Sequence, residues 1–309
     1  INEIFKCEQE YLKKHGANMY DGVIDTLKIL KEKYKLAIVS NCQSGYLNSF
    51  LEYYNLRELL TDFECAGSSP LSKGENIALV IKRNGFEKAI YVGDTKSDEN
   101  AAKEAGVILA TGHVERFNPA VQKAKELIDD GVIGDIVSAF AKRVGPLPPR
   151  IKDVGVSIDL AIHDLDIMNY LFEEEVTQVY GSMNCSFDDS EFEDHAEIMV
   201  NFANESTGIV EVNWLTPYKR RELELTGTAG IISVDYIKQS IEVFGKFAQD
   251  IEIKHEEPLK GELKSFLNAV VNDLEPEITG EDGLKALKMV IAANRSSKEH
   301  KPISFEELE

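Results

Sequence analysis

The chain has 309 residues, 43% of them hydrophobic and 28% charged, a balance that excludes a disordered or fibrous protein and leaves room for two domains. Its formal net charge of −20 repels phosphate backbones and anionic lipid, and no run of Lys and Arg compensates, so nucleic acid and membrane surfaces are excluded as partners. No apolar run approaches the roughly 18 residues that cross a bilayer and no basic-then-apolar leader opens the chain; Cys7, Cys42, Cys65 and Cys185 form no C-x-x-C pair, as expected of reduced, buried thiols in a cytoplasmic protein.

In chain order, residues 1–15 space Ile4, Phe5, Tyr11 and Leu12 among Glu and Lys as an amphipathic helix does, with Gly16 placed to end it. Short apolar runs follow at 34–39 (YKLAIV), 62–66 (DFECA), 89–92 (AIYV) and 107–110 (VILA), separated by helical stretches such as 20–32 and 73–84. Such alternation predicts a doubly wound, Rossmann-like α/β parallel sheet. After about Gly112 the pattern changes. Residues 118–130 read as a helix entered through Asn118-Pro119, 135–143 as a strand, 145–150 as a proline-rich loop and 159–172 as a strongly apolar helix. Alternating runs at 176–184, 196–202, 208–214, 222–226, 231–235 and 240–244, joined by short turns, predict a mostly antiparallel sheet. Helices at 258–274 and 280–295 complete an α+β half.

Three features stand at the ends of successive predicted strands: Ser40-Asn41, Lys73, and the run Gly93-Asp94-Thr95-Lys96-Ser97-Asp98. An open parallel sheet binds ligands beyond the carboxyl ends of its strands, so the three converge on one crevice. A hydroxyl and backbone N–H groups suit phosphate oxygens, a lysine offsets developing charge and carboxylates suit Mg²⁺. Taken singly, each also reads as strand-end capping or a solvated charge. Together, VSN, the lysine and GDTKSDENAAKEAG resemble the second to fourth motifs of the haloacid dehalogenase-like hydrolases, in the phosphoglycolate phosphatase-like branch. The resemblance implies phosphate binding by Ser40 and Asn41, an orienting role for Lys73, and Mg²⁺ held by Asp94 with Asp98 in support. The D-x-D nucleophile of that family has no counterpart before residue 34, so 1–17 is expected to be the remnant of a helical cap and 18–111 a hydrolase core without its first strand.

On the apolar helix from Asp159, the polar side chains Asp159, His163 and Asp166 fall at i, i+4 and i+7, which predicts one polar stripe. The stripe reads alone as a structural histidine, a metal site or the wall of a cavity. With GHVERFNPA, RVGPLPPR and DVGVSIDLAIHDLDIM, residues 107–305 resemble the C-terminal substrate domain of the Gfo/Idh/MocA sugar oxidoreductases, near the UDP-N-acetylglucosamine 3-dehydrogenases. That resemblance implies a proton-transferring His163, an orienting or sugar-binding Asp159, an Arg143 facing an anionic substrate group or a structural carboxylate, and NAD(P) as cofactor. It also implies a homo-oligomer built through the C-terminal sheet. Neither G-x-G-x-x-G nor the E-K-P lysine of that family is present, so the dinucleotide domain is expected to be missing.

The expectation from sequence is therefore a fusion, joined near Val107 inside a phrase both families share, with domains 18–111 and 112–309 and no complete catalytic set. A phosphatase completed by upstream sequence, a sugar-nucleotide-binding or assembly module, and a complete sugar dehydrogenase are the alternatives, the last ranked lowest. The expected partner is a phosphate ester or a sugar nucleotide.

Overall fold

The computed structural model describes residues 2–308 except 17–18, 20–21, 94–95, 149–150, 152–153, 187–191 and 246–250. The chain divides into two compact units, one comprising Ile1–Leu109 with Val270–Glu275, the other Ala110–Ala269 with Pro276–Glu309.

The first unit runs α1 (Asn2–His15), α2 (Val23–Lys31), β1 (Ala37–Ser40), α3 (Tyr46–Tyr53), β2 (Asp62–Cys65), α4 (Lys73–Asn84) and α5 (Lys96–Ala105). β1 and β2 pair in parallel from Ala37↔Asp62 to Ser40↔Cys65, and Leu47, Leu51, Leu56 and Cys65 are buried as a small core. α4 starts on a capping box, Ser72 Oγ accepting from the Glu75 amide at 3.1 Å and the Glu75 carboxylate from the Ser72 amide at 2.7 Å. It ends on Gly85, whose φ of 60° is the left-handed geometry that a glycine stop supplies. The expected parallel sheet is present only as this pair. Residues 89–92 and 107–110 form no strand, and Val92 is 84% exposed. An apolar run becomes a strand only when a neighbour satisfies its amides and carbonyls, and among the described residues neither run has one. The thiols also depart from expectation: Cys65 is buried, but Cys7 and Cys185 are exposed.

The second unit is built on one sheet of eight strands. Before it comes α6 (Pro119–Asp129), entered through Asn118, whose side chain accepts from the Ala120 amide, with Pro119 at the first helical position. The strands are β3 (Ile136–Pro146), β4 (Val176–Asn184), β5 (His195–Phe202), β6 (Thr207–Asn213), β7 (Leu215–Gly227), β8 (Gly230–Asp235), β9 (Ser240–Gly245) and β10 (Ile303–Ser304). Their order is β10-β4-β5-β6-β3-β7-β8-β9. Among the described residues, β3 and β6 pair in parallel and every other pair of neighbours is antiparallel. Period-two alternation decides what each face does: in β5, Ala196, Ile198, Val200 and Phe202 are buried while Glu197 and Met199 are exposed.

Three helices cover the buried face: α6 over β8 and β9, and α7 (Ile162–Phe172) and α9 (Gly280–Glu299), while α8 (Pro258–Asn272) precedes α9 in the chain. α9 lies so close on β4 that a Cβ at Gly181 would stand 2.4 Å from the Ala293 carbonyl oxygen. Thr279 and Asp282 form the capping box that starts α9. Across the opposite face, Tyr180, Met199, Ile209 and Phe140 stand side by side on β4, β5, β6 and β3, and Tyr180, Met199 and Phe140 are exposed.

Candidate active site

The predicted helix at 159–172 is two structures in series. Ser157–Ala161 form a π-helical turn and α7 continues from Ile162. A π turn widens the helix by one residue, so a side chain in it is rotated against those beyond it. Asp159 sits in this turn and His163 one turn later, and both line a cavity of about 240 Å³ within the second unit, at the small end for a small-molecule site. The far wall is β3 at Arg143 to Pro146 and β7 at Lys219 and Arg221, with Trp214 alongside.

His163 is the chemically poised group. Its Nδ1 is buried and makes no hydrogen bond among the described residues. Burial first, then the nearby Arg143 charge and His113, bring its pKa down from 6.5 to about 4. It is therefore neutral at pH 7, with a ring nitrogen available as an acceptor. Arg143 is buried and bound on two sides: its Nε and Nη2 donate to Asp164 at 2.6 and 3.1 Å, and its Nη1 to Glu115 at 2.8 Å. Those carboxylates outweigh the cost of burial and raise the arginine's pKa. Arg143 thus touches the cavity with a guanidinium already held by the protein.

Asp166 does not join the stripe. Its carboxylate accepts from Arg116 Nε and Nη2 at 2.8 and 2.6 Å, and only Asp159 and His163 reach the cavity. Burial lifts the Asp166 pKa despite Arg116. His113 lies against this pair, 3.7 Å from Asp166, with its ring edge-on to His163 at 6.4 Å between centroids; burial lowers its pKa too. Sequence reasoning missed Glu115, Asp164, Trp214, Lys219 and Arg221 as site residues. The one signal was Arg143 itself, a charge inside an apolar strand that demands carboxylate partners.

In the first unit, Asn41 Nδ2 donates to Ser97 Oγ at 2.9 Å, and Ser40 Oγ accepts from the Cys42 amide at 3.2 Å. Asp98 is buried and accepts from both Lys73 and Tyr91. Burial pulls the Lys73 pKa down, but the hydrogen bonds and charges of Asp98 and Tyr91 outweigh it. Asp94 lies outside the described residues. Asp98 points to a lysine and a tyrosine, and among the described residues, which do not include Asp94, no three His, Cys, Asp or Glu side chains are grouped to hold an ion.

Residues 121–233 match the model of the GFO/IDH/MocA C-terminal domain, and residues 1–111 match that of the haloacid dehalogenase-like hydrolases. Among curated relatives, the uncharacterized oxidoreductase YrbE of Bacillus subtilis is 26% identical over 89% of this chain and 90% of its own length. The scyllo-inositol 2-dehydrogenase (NAD(+)) of the same organism is 29% identical over 77% of this chain and 76% of its own. Among solved structures, UDP-N-acetylglucosamine 3-dehydrogenase GnnA of Acidithiobacillus ferrooxidans superposes with a TM-score of 0.65 at 19% identity, covering 91% of this chain and 96% of that one.

These findings correct the expectation of an inactive fusion. Similarity to oxidoreductases is not confined to the second unit but extends over 89% of the chain, and the expectation that the dinucleotide domain is missing finds no support. Physically, β1, α3 and β2 form a parallel β-α-β unit, the format in which such enzymes seat a dinucleotide. The turn after β1 does not fit a pyrophosphate, however. Ser40 and Cys42 stand where glycines would let backbone approach phosphate. Gln9 Nε2 donates to the Ser44 carbonyl at 2.6 Å, and Gly67 packs so closely that a Cβ there would stand 1.9 Å from the Ser44 amide nitrogen.

Proposed function

We propose that the chain is an oxidoreductase of the Gfo/Idh/MocA family acting on a hydroxylated ring of the sugar or cyclic-polyol kind, and that the cavity at Asp159 and His163 receives that ring. One observation carries the reading: a neutral, buried imidazole lines a cavity beside a carboxylate. It lies in the unit whose residues match that family's C-terminal domain.

Burial and Arg143 keep His163 unprotonated at neutral pH, so a substrate hydroxyl can donate to it and pass it a proton as a carbonyl forms. Asp159, one turn earlier, orients the ring by accepting from a second hydroxyl. Arg143, held by Glu115 and Asp164, acts through its charge on His163. A nicotinamide dinucleotide, the cofactor in the name of the inositol relative, supplies a hydride acceptor when bound; no residue of the turn after β1 is assigned to it.

The test is turnover by the full chain with NAD⁺ or NADP⁺ and myo-inositol, scyllo-inositol or UDP-N-acetylglucosamine, followed by nicotinamide absorbance. Turnover is expected with at least one substrate, and His163→Gln is expected to lower kcat by about 10²- to 10⁴-fold. Turnover that survives His163→Gln unchanged contradicts the assignment. No turnover with any substrate contradicts the redox reading.

We further propose that the row of Tyr180, Met199, Ile209 and Phe140 on the outer face of the sheet seats a second copy of the chain. Exposed neighbours of this kind on adjacent strands make a contiguous apolar patch, which is costly to leave in water.

A further inference from the structure

Opposite Gly145 the pairing of β3 and β7 slips. Val144 pairs with Arg220, but Pro146 pairs with Leu215, so residues 216–219 of β7 face a single residue of β3. A bulge of this kind re-aims the side chains at its end. Here it carries Lys219 over Gly145, where even a Cβ would come within 3.2 Å of Lys219 Cγ, and Lys219 and Arg221 both line the cavity wall facing Asp159 and His163.

Neither cation is neutralised as Arg143 is. Lys219 is exposed and forms no ion pair among the described residues. Arg221 approaches Glu115 only at 3.6 Å, and that carboxylate already accepts from Arg143 at 2.8 Å. Three cations line the cavity, Arg143, Lys219 and Arg221; Arg143 is taken up by Asp164 and Glu115, which leaves Lys219 and Arg221 on one wall facing Asp159 as the single remaining lining carboxylate. In a chain of net charge −20, two cations on one wall of a concave site, neither held in a close pair of its own, depart from the prevailing charge, and such a wall attracts anions.

We propose that the substrate carries an anionic group, a phosphate, diphosphate or carboxylate, seated between Lys219 and Arg221 beside Gly145 while its hydroxylated ring meets Asp159 and His163. Arg221 is also opposed by its burial and by Arg143, which lower its pKa, and an anion at this position removes that opposition. Gly145 has a definite role in this arrangement: a Cβ there would crowd the Lys219 side chain at 3.2 Å.

The proposal rests on the cavity being the substrate site, and the experiment separates the two. The chain contains one tryptophan, Trp214, and it lines the cavity, so its fluorescence reports occupancy; calorimetry on the same samples gives an independent Kd. The full chain is titrated at low salt with UDP-N-acetylglucosamine, glucose 1-phosphate, glucuronate and myo-inositol. At least one anionic ligand is expected to bind about tenfold more tightly than myo-inositol. That preference is expected to shrink about tenfold in Lys219→Met, to persist in Lys219→Arg and to weaken with added salt. Which anionic ligands show it distinguishes diphosphate, phosphate and carboxylate. Equal binding of charged and neutral ligands, or a preference unchanged in Lys219→Met, overturns the anionic subsite and leaves the ring site standing. No binding of any of the four, myo-inositol included, overturns both.

Discussion

His163 gains its character from burial and nearby cations that outweigh Glu115 in opposing a second proton. Burial, Arg143 and His113 bring its pKa to about 4 from 6.5. Between those values the unfolded chain takes up a proton that the folded chain refuses, so stability falls as pH drops through that window and is flat above it. The loss at pH 5 relative to pH 7.5 from this one group is about 2 kcal/mol. Urea unfolding at the two pH values measures it, and the difference is expected to be smaller in His163→Gln by about that amount. The same urea midpoints test Arg143. Arg143→Met leaves Glu115 and Asp164 buried without their cation and is expected to destabilise by about 3–5 kcal/mol; a loss below about 1 kcal/mol contradicts the buried network. Asp159 and His163 were legible in the sequence because polar residues on so apolar a helix need a purpose. Asp166 was misplaced because the π turn at 157–161 shifts the phase of the later helix positions by about one residue, or 100°, which an i, i+4, i+7 count does not include.

Elements of the second unit followed their sequence pattern closely, since alternation fixes which strand face is buried and the caps at Asn118 and Thr279 are local chemistry. The first unit did not, because apolar runs such as 89–92 need a partner strand that no local pattern can supply. Close approach of elements was equally invisible. Gly181 is the clearest case: it sits in a strand read as ordinary, yet its missing side chain is what lets α9 lie on β4. Gly181→Val is expected to push the helix off the sheet and cost about 1–3 kcal/mol. Thr279→Ala, which removes only the cap of the same helix, is expected to cost about 1 kcal/mol. Thermal unfolding of both variants checks the order; a Gly181→Val protein as stable as the parent contradicts the packing.

For the molecule as a whole, the change of pattern near residue 110 was legible, but the conclusion that two incomplete parts make an inactive chain was not sound. The motifs at Ser40, Lys73 and Asp98 invited it. Lys73 is bonded to Asp98 and Asn41 to Ser97, but local motifs carry no information about the length over which the chain aligns with oxidoreductases. At this scale the outer row of the large sheet makes its own prediction. Phe140→Glu sets a charge in the middle of the apolar patch and is expected to reduce the solution mass to that of a single chain, as measured by light scattering; an unchanged multimer places the contact elsewhere.

The central claim is that a hydroxylated ring enters the cavity and meets the His163 imidazole. The most direct measurement is the side-chain ¹⁵N NMR signal of His163, assigned by its loss in His163→Gln, during titration with myo-inositol and UDP-N-acetylglucosamine at neutral pH. The account predicts the shift of a neutral imidazole in the free protein and a saturable change on adding at least one ligand, reduced in Asp159→Asn. A His163 signal that is already protonated at neutral pH, or that does not move at saturating concentrations of either ligand, contradicts it.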